Sequence, residues 1–138
     1  MSRSSPCVIL IEDHPLVRAA QRTLLEHAGY RVAEITAAAD LDGFVLTPSE
    51  RQIIIADFDL GPGMNGVEVA REIMRRAGEP IPTLVLSASF GSRSRAAAAV
   101  SGMPLMFKPA PEERVLAWVA SALSGQRPNP LSRVLSTP

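Results

Sequence analysis

Carboxylate and hydroxyl side chains follow directly after three short apolar runs of this 138-residue sequence. They are Glu12 and Asp13 after the first run, Asp57 and Asp59 after the second, and Ser87 after the third. Carboxylates held close together repel one another, and a hard divalent cation relieves that repulsion. An all-oxygen pocket with few ligands suits Mg²⁺, which keeps several waters and takes a phosphate oxygen as a partner. The residue types therefore predict a magnesium site that contains Glu12, Asp13 and Asp57.

Asp57 is the predicted nucleophile of this site. A carboxylate can accept a phosphoryl group to form an acyl phosphate, and such a transfer needs mainly positioning and neutralisation of charge. Lys108 is the only lysine beside thirteen arginines, follows a fourth apolar run and offers a compact ammonium group. The Ser87 hydroxyl is expected to donate to a phosphoryl oxygen. The other expected donors are backbone N–H groups, those of Phe58, Asp59 and Ala88.

Short apolar runs alternate with segments of helical period, a pattern typical of a parallel sheet covered on both faces. The predicted strands are Cys7–Ile11, Arg31–Ile35, Ile53–Ala56, Thr83–Leu86 and Leu105–Phe107. Open α/β sheets bind ligands at the carboxyl ends of their strands. We therefore expect the polar residues that follow the strands to meet at one edge of the sheet.

Helices are predicted between these strands. The first begins at Pro15 with His14 as its cap, includes Leu16 and Leu24 on its apolar side, and stops at Gly29. The others are expected near Ala37–Val45, after an Asn65–Glu68 capping box, over Ser92–Val100, and from Pro111.

The composition predicts one globular domain, with 46% hydrophobic residues, 20% charged residues and zero net charge. Zero net charge gives no electrostatic footprint for nucleic acid or an anionic membrane. The single cysteine, Cys7, lies in an apolar run, and no apolar stretch approaches the length of a membrane span. We expect a cytoplasmic protein with a domain over residues 1–125, a short tail over residues 126–138 and no effector domain.

Four motifs in this order resemble the receiver domain of two-component response regulators, over about residues 6–124. They are Glu12–Arg18, Asp57 with its glycine-rich turn, Ser87–Ala88 and Lys108–Pro109. The resemblance implies a flavodoxin-like, doubly wound (βα)5 sheet with strand order 2-1-3-4-5. It also implies phosphoryl transfer to Asp57 from a phosphohistidine of a sensor histidine kinase or phosphotransfer protein. The metal ligands that it implies for Mg²⁺ are Glu12, Asp13, Asp57 and the backbone carbonyl of Asp59.

The sequence departs from the family pattern where receivers respond to phosphorylation. Leu105 lies three residues before Lys108, where many members have an aromatic side chain, and Phe107 is expected on the opposite face of the strand from its neighbours. Phosphorylation is still expected to bias the fourth helix, the fifth strand and the fifth helix between two arrangements. That face would then bind a partner or form a homodimer.

Two other functions stay open from the sequence. The run Asp57–Asp59 also fits the nucleophile motif of haloacid-dehalogenase-like phosphatases, whose further acidic pair could only be Glu112 and Glu113 here. The second alternative is a receiver-like module that binds partners without accepting a phosphoryl group. A receiver would catalyse only its own phosphorylation and dephosphorylation, so we do not expect a turnover enzyme.

Overall fold

The computed structural model describes residues 7–44, 51–88 and 92–125, so the predicted tail lies outside the described residues. The strands are β1 (Cys7–Ile11), β2 (Arg31–Ile35), β3 (Gln52–Asp57), β4 (Thr83–Ser87) and β5 (Leu105–Phe107). The α-helices are α1 (Pro15–His27), α2 (Gly66–Ala77), α3 (Ser92–Val100) and α4 (Glu112–Leu123). All five predicted strands are confirmed. Strands β3 and β4 reach one residue further than predicted, so Asp57 and Ser87 end their strands.

The five strands form one parallel sheet in the order β2-β1-β3-β4-β5, which confirms the expected flavodoxin-like order. The register places Ile11 beside Ala56 and Asp57 beside Leu86. Glu12, the residue after β1, therefore continues the register to the level of Asp57. The sheet alone brings the first two acidic positions to the same edge.

Helices cover both faces of the sheet and create two core layers. Ile9 and Ile11 of β1 face the layer that contains α2 and α3, whereas Val8 and Leu10 face the layer that contains α1 and α4. This division follows from the alternation of side chains along a strand. Because both of their faces are buried, the inner strands β1, β3 and β4 are largely apolar and have no polar side, whereas the edge strand β2 keeps Arg31 and Glu34 exposed.

Helix α1 begins as predicted, but its buried side differs from the prediction. The His14 ring nitrogen accepts from the Val17 N–H at 3.4 Å and caps the helix, and Gly29 follows it at φ 99°. Leu16, expected on the apolar side, is 76% exposed, whereas Leu25 is 1% exposed. Periodicity locates an apolar stripe only roughly, and the position of the helix axis over the sheet decides which edge of that stripe is buried.

The segment after β2 forms a 3-10 helix over Ala38–Gly43 in place of the predicted longer helix. The Asp40 carboxylate accepts from the backbone and hydroxyl of Thr36, both at 2.7 Å. Such local bonds satisfy backbone groups without a longer helix. Helix α4 begins at Glu112, one residue later than predicted, because Pro111 has a non-helical ψ of 132° and is the N-cap residue.

The predicted capping box of α2 is confirmed. The Asn65 side chain accepts from the Glu68 N–H at 2.9 Å, and the Glu68 side chain accepts from the Asn65 N–H at 2.9 Å. The helix ends at Gly78 in a left-handed conformation with φ 76°. Within the three described ranges, none of the helices has the length and apolar character needed to cross a bilayer.

Candidate functional site

Asp57 is the buried carboxylate at the centre of the site. It ends β3, is 4% exposed, and has its Oδ1 atom 3.2 Å from the Lys108 ammonium. The same ammonium donates to Glu12 Oε1 at 3.0 Å. Glu12 is 1% exposed and directly follows β1, the strand next to β3 in the sheet. The structure therefore brings Glu12, Asp57 and Lys108 into one cluster, as the sequence predicted.

The surroundings of Asp57 disfavour its charged form. Burial raises the pKa of Asp57 to about 7, and the nearby Glu12 carboxylate adds to the rise, whereas the Lys108 charge opposes it. Burial also works against the Lys108 charge, but the hydrogen bond to Glu12 and the Asp57 charge outweigh it and raise the pKa of Lys108. Two buried carboxylates therefore share one ammonium, and a further cation would favour the ionised form of Asp57.

Three carboxylates at this edge have the geometry of a divalent-cation site. One oxygen each from Glu12, Asp13 and Asp57 lies within 4.8 Å of the others. Asp13 is exposed, so the cluster reaches water on one side. The second Glu12 oxygen accepts from the His14 N–H at 3.2 Å, which orients that carboxylate. Hard oxygen donors beside open solvent fit Mg²⁺, which retains part of its hydration shell.

Asp59 connects the end of β3 to the end of β4. Its N–H donates to Asp57 Oδ1 at 3.2 Å. Its carboxylate accepts from the Ser87 hydroxyl and from the Ala88 N–H, both at 3.3 Å. Ser87, Ala88 and the Asp59 N–H therefore adjoin the site.

The expected role of Phe58 is wrong. Its N–H donates to the Leu86 carbonyl at 2.8 Å and so extends the bonding between β3 and β4. A donor engaged in the sheet is not directed at the Asp57 carboxylate. The alternation of N–H directions along a strand explains why Phe58 and Asp59 differ.

Gly66 is a structural requirement of the site that the sequence did not reveal. A Cβ atom at Gly66 would lie 2.0 Å from the Asp57 carbonyl oxygen and 2.7 Å from its carbonyl carbon. Helix α2 therefore starts directly against the backbone of Asp57, and only glycine permits that approach. The sequence shows Gly66 only as the end of a glycine-rich turn, since the contact depends on tertiary packing.

An apolar groove between α1 and α4 leads to Lys108. Its volume is about 380 Å³. Side chains of both helices and of the segment after β5 line it, among them Val17, Ala20, Leu24, Pro109, Ala110 and Val115. The sequence did not predict this groove, because its two sides come from opposite ends of the chain.

The side chains of β5 alternate between the two core layers. Leu105 is buried, and Phe107 is half-buried against the same core layer. Met106, between them, faces the other layer. The Arg95 guanidinium of α3 lies 5.2 Å from the centroid of the Phe107 ring, within the range of a cation–π contact. This contact connects α3 to β5.

Similarity to known proteins agrees with the geometry. Residues 8–120 match the family described as response regulator receiver domain. Transcriptional regulatory protein AfsQ1 of Streptomyces coelicolor is 39% identical over 84 residues, which cover 60% of this chain and 35% of that protein. Aerobic respiration control protein ArcA of Escherichia coli K12 is 32% identical over 73 residues, which cover 53% of this chain and 30% of that protein. The chain thus spans about a third of the length of these relatives.

Other relatives extend the comparison to kinases and to solved structures. Sensor histidine kinase GacS of Pseudomonas protegens is 29% identical across 93% of this chain and 15% of the kinase. A LuxR-family two-component response regulator from Aurantimonas superposes with a TM-score of 0.74 at 25% identity, covering 96% of this chain and 95% of the other. A receiver protein from Pseudoalteromonas atlantica gives a TM-score of 0.75 at 20% identity, covering 87% and 98%.

The phosphatase alternative does not agree with these findings. Among the described residues, the cluster of carboxylates suited to a metal comprises Glu12, Asp13 and Asp57, and neither Glu112 nor Glu113 belongs to it. Those two glutamates are exposed in the first turn of α4. The family match, the sheet order and this cluster lead to one conclusion: the chain belongs to the receiver domains of two-component response regulators.

Proposed function

We propose that Asp57 accepts a phosphoryl group from a phosphohistidine of a sensor histidine kinase or a histidine phosphotransfer protein. The observation that carries this proposal is the buried Asp57 carboxylate, 3.2 Å from the Lys108 ammonium and within 4.8 Å of the Glu12 and Asp13 oxygens. In the transfer, an Asp57 oxygen forms a bond to phosphorus while the bond from phosphorus to the histidine nitrogen breaks. The aspartyl phosphate that results is a signalling state and not a product released in turnover.

The residues around Asp57 divide the work of this transfer. Lys108 balances the Asp57 charge beforehand and a phosphoryl oxygen afterwards, and its bond to Glu12 keeps it at the site. The Ser87 hydroxyl and the Ala88 N–H would donate to the transferred group. Mg²⁺ bound by the Glu12, Asp13 and Asp57 carboxylates and the Asp59 carbonyl would supply positive charge against the phosphoryl oxygens.

The groove between α1 and α4 supports a protein as the phosphodonor. It opens beside Lys108, and Leu16 of α1 is 76% exposed three residues after Asp13. An apolar side chain exposed next to an acceptor site is suited to contact with a partner. We propose that the donor docks over this end of α1, in the cytoplasm. We also propose that a partner or a second copy binds the face formed by α3, β5 and α4, which are the fourth helix, fifth strand and fifth helix of the sequence prediction.

Phosphorylation by acetyl phosphate in the presence of Mg²⁺ tests this proposal. We expect one phosphoryl group per wild-type chain by intact mass, and none in Asp57→Asn. Asp42→Asn, which changes a carboxylate with an 85% exposed side chain away from the cluster, is the matched control and should be labelled as the wild type is. Labelling that survives in Asp57→Asn would identify another acceptor. No labelling of the wild type would favour a binding module, and catalytic release of phosphate from an ester in excess would favour a phosphatase.

A further inference from the structure

The Asp59 side chain occupies groups that the proposed function assigns to the phosphoryl group. One carboxylate oxygen, Oδ2, accepts from both the Ser87 hydroxyl and the Ala88 N–H at 3.3 Å. The Asp59 N–H at the same time donates to Asp57 Oδ1 at 3.2 Å. Asp59 therefore extends from the acceptor carboxylate of β3 to the donors at the end of β4. Its carboxylate oxygen Oδ2 thus accepts from two donors that the proposed function assigns to the phosphoryl group.

We propose that the Asp59 carboxylate is a positioning residue that occupies the Ser87 and Ala88 donors before transfer and withdraws when the phosphoryl group arrives. This inference rests on the proposed phosphorylation of Asp57. A carboxylate resembles a phosphoryl group in what these donors require, because both present anionic oxygens that accept hydrogen bonds. The Ser87 and Ala88 donors thereby have an acceptor before transfer, and a phosphoryl oxygen can replace that acceptor.

The geometry makes this occupancy easy to reverse. Both bonds to the carboxylate, at 3.3 Å, are longer than typical hydrogen bonds and therefore weak, and Asp59 is an exposed residue. An exposed carboxylate that leaves such bonds regains bonds to water, so the net cost of its rotation is small. The Ser87 side chain, in contrast, is fully buried, so its hydroxyl stays in place for a new acceptor.

Two effects make Asp59 oppose the phosphorylated state. Its carboxylate competes for the donors, and its charge repels the additional charge that a phosphoryl group brings to Asp57. Two substitutions separate them. Asp59→Asn removes the charge but retains an oxygen that can accept from Ser87 and Ala88, whereas Asp59→Ala removes both.

Binding of beryllofluoride, a phosphoryl mimic, to the full chain in Mg²⁺ measures the effect. We expect a Kd three- to tenfold lower for Asp59→Ala than for the wild type, with Asp59→Asn between them. Glu79→Ala is the matched control, because it removes one exposed carboxylate after α2 at the opposite edge of the sheet. Its Kd should equal that of the wild type.

A second measurement separates this role from a general effect on structure. Mg²⁺ affinity in the absence of beryllium should stay the same or fall in Asp59→Ala, because a nearby negative charge is lost. Beryllofluoride affinity should rise in the same variant. A variant that merely loosened the site would weaken both ligands.

The outcomes distinguish this inference from the proposed function. If the wild type binds beryllofluoride and Asp59→Ala binds it equally or more weakly, the role of Asp59 is wrong and the phosphoacceptor function stands. If neither the wild type nor any Asp59 variant binds beryllofluoride or is labelled at Asp57, the phosphoacceptor function fails and this inference fails with it.

Discussion

Burial of a carboxylate at the end of a strand costs free energy, and the raised pKa of Asp57 shows this cost. Its pKa is raised to about 7 mainly by burial, although Lys108 opposes the rise. Between about pH 4 and pH 7, the Asp57 carboxyl is therefore mostly protonated in the folded protein but ionised in the unfolded chain. The contribution of Asp57 to the free energy of unfolding falls as the pH rises from about 4 to 7. Its destabilising effect is fully present above pH 7.

Asp57→Asn should remove this dependence. An amide does not titrate, so we expect the variant to be more stable than the wild type by on the order of 1–3 kcal/mol at pH 8, and by much less at pH 5. Urea unfolding at both pH values, without divalent cations, measures the difference. Excess Mg²⁺ should narrow the gap at pH 8, since the cation stabilises the ionised carboxylate of the wild type. A gap that is the same at both pH values would contradict the raised pKa.

The elements position these groups through the contact of α2 with β3. The Asn65–Glu68 capping box fixes where α2 begins, and Gly66 lets that helix end approach the Asp57 carbonyl. The buried face of the helix then packs on the sheet through Val69, Ala70 and Ile73. A sequence pattern revealed the cap, whereas the close approach is visible only in the packed structure.

Gly66→Ala should therefore damage both the fold and the site. The new methyl group would lie 2.0 Å from the Asp57 carbonyl oxygen, so backbone must shift, and we expect a loss of about 1–3 kcal/mol in urea unfolding. Beryllofluoride binding should weaken as well, because Asp57 moves with its carbonyl.

Gly43→Ala is the matched control for that substitution. No atom of the described structure lies within 4 Å of a Cβ built at Gly43, and its φ is not positive. We expect stability within about 0.5 kcal/mol of the wild type or slightly above it. Equal stability of the two alanine variants would show that the α2–β3 contact tolerates a side chain.

At the scale of the whole molecule, two exposed aliphatic side chains allow the proposed docking surface to be compared with ordinary surface. Leu16 lies at the start of α1 beside the site, and Val100 lies at the end of α3, with 76% and 82% of their surfaces exposed. Scattered exposed apolar residues are normal in soluble domains. Position relative to Asp57, and not exposure, is what singles out Leu16.

Leu16→Ser should slow phosphorylation by a protein donor and leave phosphorylation by a small donor unchanged. Loss of a side chain buried at the interface is worth about 1–2 kcal/mol, so we expect a five- to thirtyfold lower transfer rate from a phosphorylated histidine phosphotransfer protein. The rate with acetyl phosphate should match that of the wild type. Val100→Ser should affect neither rate, and equal transfer by both variants would place the docking surface elsewhere.

The sequence predicted the strands, the sheet edge and most of the site because these features are local or follow from alternation. Apolar runs ended by Glu12, Asp57, Ser87 and Lys108 are readable without coordinates, and parallel pairing must bring such ends together. The family motifs supplied the strand order. The errors arose where neighbours in space decide, as with the exposure of Leu16, the short 3-10 helix and the engaged N–H of Phe58.

Residue types and order along the chain were sufficient to determine the class of fold and the set of carboxylates that gathers around Asp57. Only tertiary structure decided that α2 abuts the Asp57 carbonyl, that α1 and α4 form a groove beside Lys108, and that the Asp59 carboxylate bonds to Ser87 and Ala88. The physical reason is that spacing fixes which edge of the sheet a residue reaches. Packing between distant segments sets the distances between side chains to within a few ångströms. Those distances decide whether a hydrogen bond or a close contact forms.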